Sequence, residues 1–97
     1  MEFRNNGSRF EAVDEGQVVG WLDYEQEGGD VALTHTVVPE EFSGRGIGKQ
    51  LALYALQYAR DKGWSVLPYC TFVQASIRFN PEYMSLVPED RRAEFAL

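Results

Sequence analysis

The 97-residue chain sets nine Lys and Arg against fifteen Asp and Glu, a net charge of −6, and Arg91–Arg92 is its only adjacent basic pair. A phosphate backbone is repelled by such a surface, which sets nucleic-acid binding aside as a main function, whereas amines and other cations are attracted. The length fits one domain over residues 1–97, and 44% hydrophobic residues with 25% charged ones describe a globular chain rather than a disordered one.

The opening MEFRNNGSRF has no apolar core and does not read as a secretory signal. RFEAV (Arg9 to Val13) alternates, with Phe10 and Ala12 on one face and Arg9 and Glu11 on the other. DEGQ reads as a turn and VVGWLDYEQ (Val18 to Gln26) as a second strand, which completes a hairpin. After the turn EGGD, VALTHTVV (Val31 to Val38) is a third, β-branched strand, and the three form an antiparallel meander. Pro39 stops the ladder. From about Gly46 the period becomes helical and runs to Lys62, with Gly63 as its stop. Gln50, Gln57, Arg60 and Asp61 mark the polar face, while Ile47, Leu51, Ala55, Tyr58 and Ala59 fall mostly opposite. Leu53 lies on the polar side, so that side is expected to meet another element. WSVLPYC (Trp64 to Cys70) is a short buried strand reached by a crossover. TFVQASIRF (Thr71 to Phe79) reads as a second helix, and NPEYMSLVPEDRR as a turn with a short helical end. The order βββαβα predicts an α+β fold, a mixed and mostly antiparallel sheet with helices packed on it. Trp21 and Trp64 are expected in its core, as large aromatics on strands usually are.

Cys70 is the only cysteine and His35 the only histidine. An internal disulfide is therefore excluded, and so is a tetrahedral zinc site, so no metal is expected. No apolar run approaches the roughly 20 residues that span a bilayer. The expectation is a cytoplasmic protein without membrane contact, monomeric or weakly dimeric.

SGRGIGK (Ser43 to Lys49) carries the chemistry. It fails the P-loop pattern twice: Ser43 stands at the first Gly position and Gln50 follows Lys49. It fails the dinucleotide fingerprint as well, because Lys49 takes the last glycine position. What remains is a strand, a turn rich in backbone donors and a helix N-terminus. Free N–H groups and the positive helix end favour an anion of about pyrophosphate size, with Arg45 and Lys49 adding charge. Mere tight helix–strand packing is the plain alternative.

On these residues the chain resembles the GNAT superfamily of acyl-CoA-dependent N-acetyltransferases. Their signature, Gln/Arg-x-x-Gly-x-Gly/Ala between a strand and a long helix, holds the CoA pyrophosphate. Gly46 and Gly48 match it with Ile47 between them, and Ser43 stands where Gln or Arg is usual. THTVVPEEFSGRGIGKQL followed by LPYCTFVQASIRFNPEYMSLV is similar to the minimal YjdJ-type members, with Thr71 where Pro is common and Phe79-Asn80 where Arg-His is common. The likeness covers most of the chain from Trp21 onward. It implies acetyl-CoA or CoA as cofactor, held by Ser43, Gly44, Arg45, Gly46, Ile47, Gly48 and Lys49. The backbone of Val37 and Val38 would lie along the pantetheine, and Asn80 would meet a pantetheine amide.

Acetyl transfer from a thioester needs a neutral amine, a donor for the carbonyl and a proton for the leaving thiolate. Cys70, between a strand and a helix start, reads either as a nucleophile or as a small buried hydrophobe. His35 reads as a base for the amine or as a core histidine, since period two places it with Val31, Leu33 and Val37. Tyr83 could protonate the thiolate, and it and Asn80 could equally be ordinary turn residues. Three functions stand: an acetyl-CoA-dependent N-acetyltransferase acting on a small-molecule or peptidyl amine, a CoA-binding module without catalysis, and a structural protein with a tight glycine turn. The chain is short for the superfamily, with little material where an acceptor site is usually built, which is what keeps the second reading in play.

Overall fold

The computed structural model describes residues 1–97. Five strands form one sheet in the order β1-β2-β3-β4-β5: β1 Glu2–Asn5, β2 Arg9–Asp14, β3 Gln17–Glu27, β4 Asp30–Val37 and β5 Ser65–Pro68. The first four run antiparallel and β5 pairs parallel with β4, as a crossover requires. That crossover is helix α1, Ile47–Lys62, and α2 follows β5 at Thr71–Phe79. Short 3-10 turns occupy Glu40–Phe42, Pro81–Leu86 and Glu89–Phe95. No helix is long and apolar enough to cross a membrane.

The mixed sheet with helices on it matches the α+β expectation, with one strand more than the sequence suggested. β1 has little intrinsic strand character, and tertiary contacts hold it. Phe3 stacks on Tyr54 with ring centroids 5.4 Å apart, Arg4 Nε lies 2.8 Å from Glu11 Oε1, and Tyr24 donates to Asn5 Oδ1 at 2.7 Å. The ion pair also accounts for Glu11, a buried carboxylate that alternation had assigned to the exposed face of β2.

One side of the sheet carries α1. Phe10, Leu22, Val31 and Leu33 are fully buried against Leu51, Ala55, Leu56 and Ala59. Leu53 and Tyr58 pack partly buried at the margin of this cluster, so Leu53 does find its neighbour. Trp64 packs there too, but Trp21 does not. Its neighbour Leu22 takes the core face, and Trp21 turns to the other side under the Arg9 guanidinium, 4.9 Å from the ring centre.

Gly20 sets the height of α1 over the sheet. A Cβ built there would lie 2.8 Å from Ile47 Cγ2 and 3.3 Å from the Val37 carbonyl oxygen. The helix start therefore rests directly on β3 backbone. Gly20→Ala should destabilise the fold by about 1–3 kcal/mol through overpacking and lift the first turn of α1. Urea unfolding measures this, and an unchanged midpoint would show that Ile47 yields freely.

Candidate active site

β4 pairs with β5 only from Asp30 to Leu33, whereas its pairing with β3 continues to Val37. Beyond Leu33 the Cys70 N–H takes the Leu33 carbonyl at 3.0 Å and the chain turns into α2. Residues 34–37 of β4 thus have a strand on one side and none on the other. Into this opening faces a cavity of about 440 Å³, lined by Thr36, Val38, Phe42, Gly46, Lys49 and Phe72 among others.

A bulge decides which β4 side chains reach it. The register passes from Tyr24↔Leu33 to Asp23↔His35, so Thr34 is an extra residue, and its hydroxyl donates to the Asp23 carbonyl at 3.2 Å. The alternation inverts at that point. Val31 and Leu33 are buried, yet His35 and Val37 come out exposed, while Thr36 and Val38 line the cavity. His35 is therefore not a core histidine beside Leu33: it stands open on the face away from the cavity. Val38 lines the cavity, and Val37 pairs with Trp21 and points its side chain away.

Ser43, Gly44, Gly46, Ile47, Gly48 and Lys49 converge on the same cavity. Gly44 has φ +84° and Gly46, the N-cap of α1, φ +71°, a backbone that glycine adopts at least cost. The first bond of the α1 ladder runs from Gln50 N–H to Gly46 O at 3.1 Å. Ile47, Gly48 and Lys49 precede it, and no side chain caps them, so their N–H groups aim out of the helix end. Gly48 has a different reason to lack a side chain: a Cβ there would lie 2.7 Å from the Phe72 ring. The second signature glycine thus seats α2 against α1.

The two cations diverge. Lys49 is exposed, lines the cavity and joins no ion pair. Arg45 does not line it. Its guanidinium lies 3.5 Å from Asp14 Oδ2 and 5.5 Å from the centre of the Phe42 ring. In this structure Arg45 is drawn to Asp14 rather than into the cavity, a pairing that ties the end of β2 to the loop.

Cys70 is 6% exposed, and its Sγ lies 2.7 Å from Thr36 Oγ1. Thr36 lines the cavity and Cys70 does not, so the hydroxyl stands between thiol and cavity. Asn80 ends α2, donates Nδ2–H to the Ser76 carbonyl at 2.9 Å, and lines a second cavity that also touches Lys49. Tyr83 is not brought to the site. It is buried, with Arg60 5.6 Å above its ring, and Arg60 lies thirteen residues along α1 from Ile47, about 20 Å from the cradle. Thr36, Phe42 and Phe72 are site residues that sequence reasoning missed. The bulge hides the phase of Thr36, and only the exposed position of Phe72 in the first turn of an apolar helix offered a signal.

A strand that outruns its parallel neighbour, beside a glycine-cradled helix start, matches the family signature in space as well as in sequence. Residues 9–86 match the GCN5-related N-acetyl-transferase family. The chain belongs to that family. Among its relatives is Protein NATD1 of Danio rerio, 35% identical over 82 residues, covering 84% of this chain and 67% of that one. Protein NATD1 of Xenopus tropicalis is 37% identical over 51 residues, 53% of this chain, and the match spans about half the length of that relative, 47%. The fold is shared with a GCN5-like protein of Staphylococcus aureus, at 21% identity and TM-score 0.66, covering 90% of this chain and 87% of the other. It is shared also with the aminoglycoside N-acetyltransferase AAC(6')-Iy in complex with CoA, at 21% identity and TM-score 0.51, covering 84% and 66%.

The Thr36 screen is testable within this family member. Thr36→Ala should raise the rate at which iodoacetamide alkylates Cys70, followed by mass spectrometry, because it opens the cavity to the thiol. An unchanged rate would show that solvent reaches the sulfur by another path.

Proposed function

We propose that residues 1–97 act as a single acetyl-CoA-dependent N-acetyltransferase domain, moving an acetyl group to an amine of a small molecule or peptide. One observation carries the reading: unpaired N–H groups at the α1 start, the free Lys49 and the open edge of β4 share one cavity. The donor set suits a pyrophosphate at the helix end, and an extended amide chain suits the open strand beside Thr36 and Val38. Ser43 and Gly44 close the loop side, and Asn80 stands beyond Lys49. When bound, acetyl-CoA supplies the activated acetyl group.

Cys70 is the acyl acceptor in this reading. With acetyl-CoA bound, the Cys70 thiol would take the acetyl group, its sulfur replacing the CoA sulfur on the carbonyl carbon and its proton passing to the departing sulfur. The acceptor amine then bonds to the same carbon, the Cys70 sulfur departs, and the proton lost by the amine restores the thiol. His35 stands exposed on the opposite face of β4, away from the Cys70 sulfur that the amine must reach, so this reading gives it no proton to take from the reacting amine. A reducing cytoplasm would keep the lone thiol available.

CoA should raise the unfolding temperature by binding the native state, and Gly46→Val should remove that effect while the protein stays folded. A variant that still binds CoA like the parent would remove the cradle from the reading. Acetyl-CoA should add an acetyl group to Cys70, visible by mass, and Cys70→Ala should lose it while keeping CoA affinity. Binding of CoA with no transfer to any of a panel of amines would instead describe a CoA-binding module.

Charge separates the two cations. Lys49→Ala should weaken CoA binding and flatten its salt dependence, whereas Arg45→Ala should change either very little, since Asp14 holds that guanidinium. Titrations at two ionic strengths decide this, and equal losses for both variants would mean that Arg45 leaves Asp14 to meet the ligand.

A further inference from the structure

Residues 88–97 lie beyond the segment 9–86 that matches the family, and the acetyl-transfer chemistry makes no use of them. Arg92 donates from Nε to the Val87 carbonyl at 3.1 Å and from Nη2 to the Met84 carbonyl at 3.0 Å. These bonds tie the Glu89–Phe95 turn back to the end of the Pro81–Leu86 turn. Two further side chains of the segment reach one residue, Tyr69. Phe95 is buried and meets the Tyr69 ring edge-on with centroids 5.0 Å apart, and Arg91 Nη2 donates to the Tyr69 hydroxyl oxygen at 3.2 Å. Glu94 accepts Arg91 Nε–H at 2.6 Å and Nη2–H at 3.2 Å on its two oxygens, so a two-point contact fixes the guanidinium plane where it meets the tyrosine. Tyr69 itself is 46% exposed. A ring that open is not oriented by burial alone, and the clamp from the C-terminal segment orients it.

The place of Tyr69 in the chain gives the clamp a consequence. It stands between Pro68, the last residue of β5, and Cys70, the N-cap of α2, and together they make the turn at which β5 leaves β4. Gln74 holds this turn from the α2 side, with Nε2 donating to the Pro68 carbonyl at 2.9 Å. The Tyr69 N–H turns back to the Leu67 carbonyl at 3.1 Å and gives β4 nothing, so its side chain is what secures the other flank. We propose that Arg91 and Phe95 are positioning residues: by clamping the Tyr69 side chain they fix the Pro68–Cys70 turn, and through it hold the Cys70 sulfur against the Thr36 hydroxyl, 2.7 Å away. The proposal rests on the reading of Cys70 as acyl acceptor and adds what keeps its sulfur in place. Misplacing a reacting atom by a full ångström costs roughly a hundred-fold in rate, and a turn secured on one flank only loses a fraction of that.

Two rates at Cys70 test the clamp, acetylation by acetyl-CoA and alkylation by iodoacetamide, each followed by mass spectrometry alongside calorimetric titration with CoA. Arg91→Met should slow acetylation by about 3- to 10-fold and leave CoA affinity unchanged, since the cradle lies at the start of α1. Tyr69→Phe cuts the same hydrogen bond and should give the same loss, and the double variant should lose no more than either alone. Phe95→Leu keeps a buried apolar contact without the ring edge and should follow Arg91→Met in both rates. Iodoacetamide should react roughly 2- to 5-fold faster with Arg91→Met than with the parent, the size of one side-chain hydrogen bond, because the sulfur leaves Thr36. In a Thr36→Ala background the Arg91→Met change should add nothing, whereas general loosening of the fold would add in both backgrounds. The Arg91 side chain is on the surface, so its variant should fold. Additive losses, an unchanged alkylation rate, or a CoA affinity that falls along with acetylation would overturn the clamp. A parent that binds CoA but takes no acetyl group would sink the acyl-acceptor reading, and the alkylation rates would still decide whether the clamp places the sulfur.

Discussion

β4 loses β5 at Leu33 because the chain can no longer extend the ladder at Pro68. Proline has no N–H to donate, and the next free donor, that of Cys70, closes onto the Leu33 carbonyl as the chain enters α2. β3 meanwhile continues beside β4 to Val37. The sheet is thus held on one flank and parted on the other, and the parting is a space between two elements whose positions are fixed elsewhere. An opened strand edge would ordinarily invite pairing with another chain. Here α1 begins above it and α2 starts beside it, so the exposed backbone faces a shaped cavity rather than bulk solvent.

The Thr34 bulge then assigns chemistry to faces. Without the extra residue, strict alternation would send His35 and Val37 into the core with Leu33, and Thr36 outward. With it, Thr36 turns to the cavity and meets Cys70, while His35 turns to the face where Trp21 and Asp23 lie across from it. A one-residue irregularity thereby places a hydroxyl and a thiol on one side of the strand and an imidazole on the other.

Legibility in the sequence tracks the range of the forces involved. The meander, the crossover helix and the glycine-rich helix start all come from local period and backbone constraint, and they stand where that period places them. β1 was not legible, because Glu2–Asn5 is a strand through Phe3 on Tyr54, Arg4 on Glu11 and Tyr24 on Asn5, contacts made up to 51 residues apart. The bulge was hidden inside an unbroken β-branched run, and so the exposure of His35 and the role of Thr36 were hidden with it. The pairing of Arg45 with Asp14, at the end of β2, was hidden for a similar reason, since nothing local to the loop announces it. Tyr83 sits in a turn segment whose path back to the far end of α1 has no local signature.

Electrostatics brings these features together. A chain of net charge −6 repels a polyanion at long range, so whatever holds a pyrophosphate must act at short range. Beyond a Debye length of about 8 Å in physiological salt the fifteen carboxylates are largely screened, and within it the nearest groups dominate. At the α1 start those groups are the N–H donors of Ile47, Gly48 and Lys49, the helix dipole and the Lys49 ammonium. Backbone donors bring no net charge and need no partner when the ligand is away, because water satisfies them. The repulsive neighbour Asp14 is neutralised by Arg45, whose position in the loop would otherwise leave it free to compete for the anion. Arg45 and Asp14 thus offset one another beside the α1 start, and the groups that the helix geometry aims outward there are the backbone donors and Lys49.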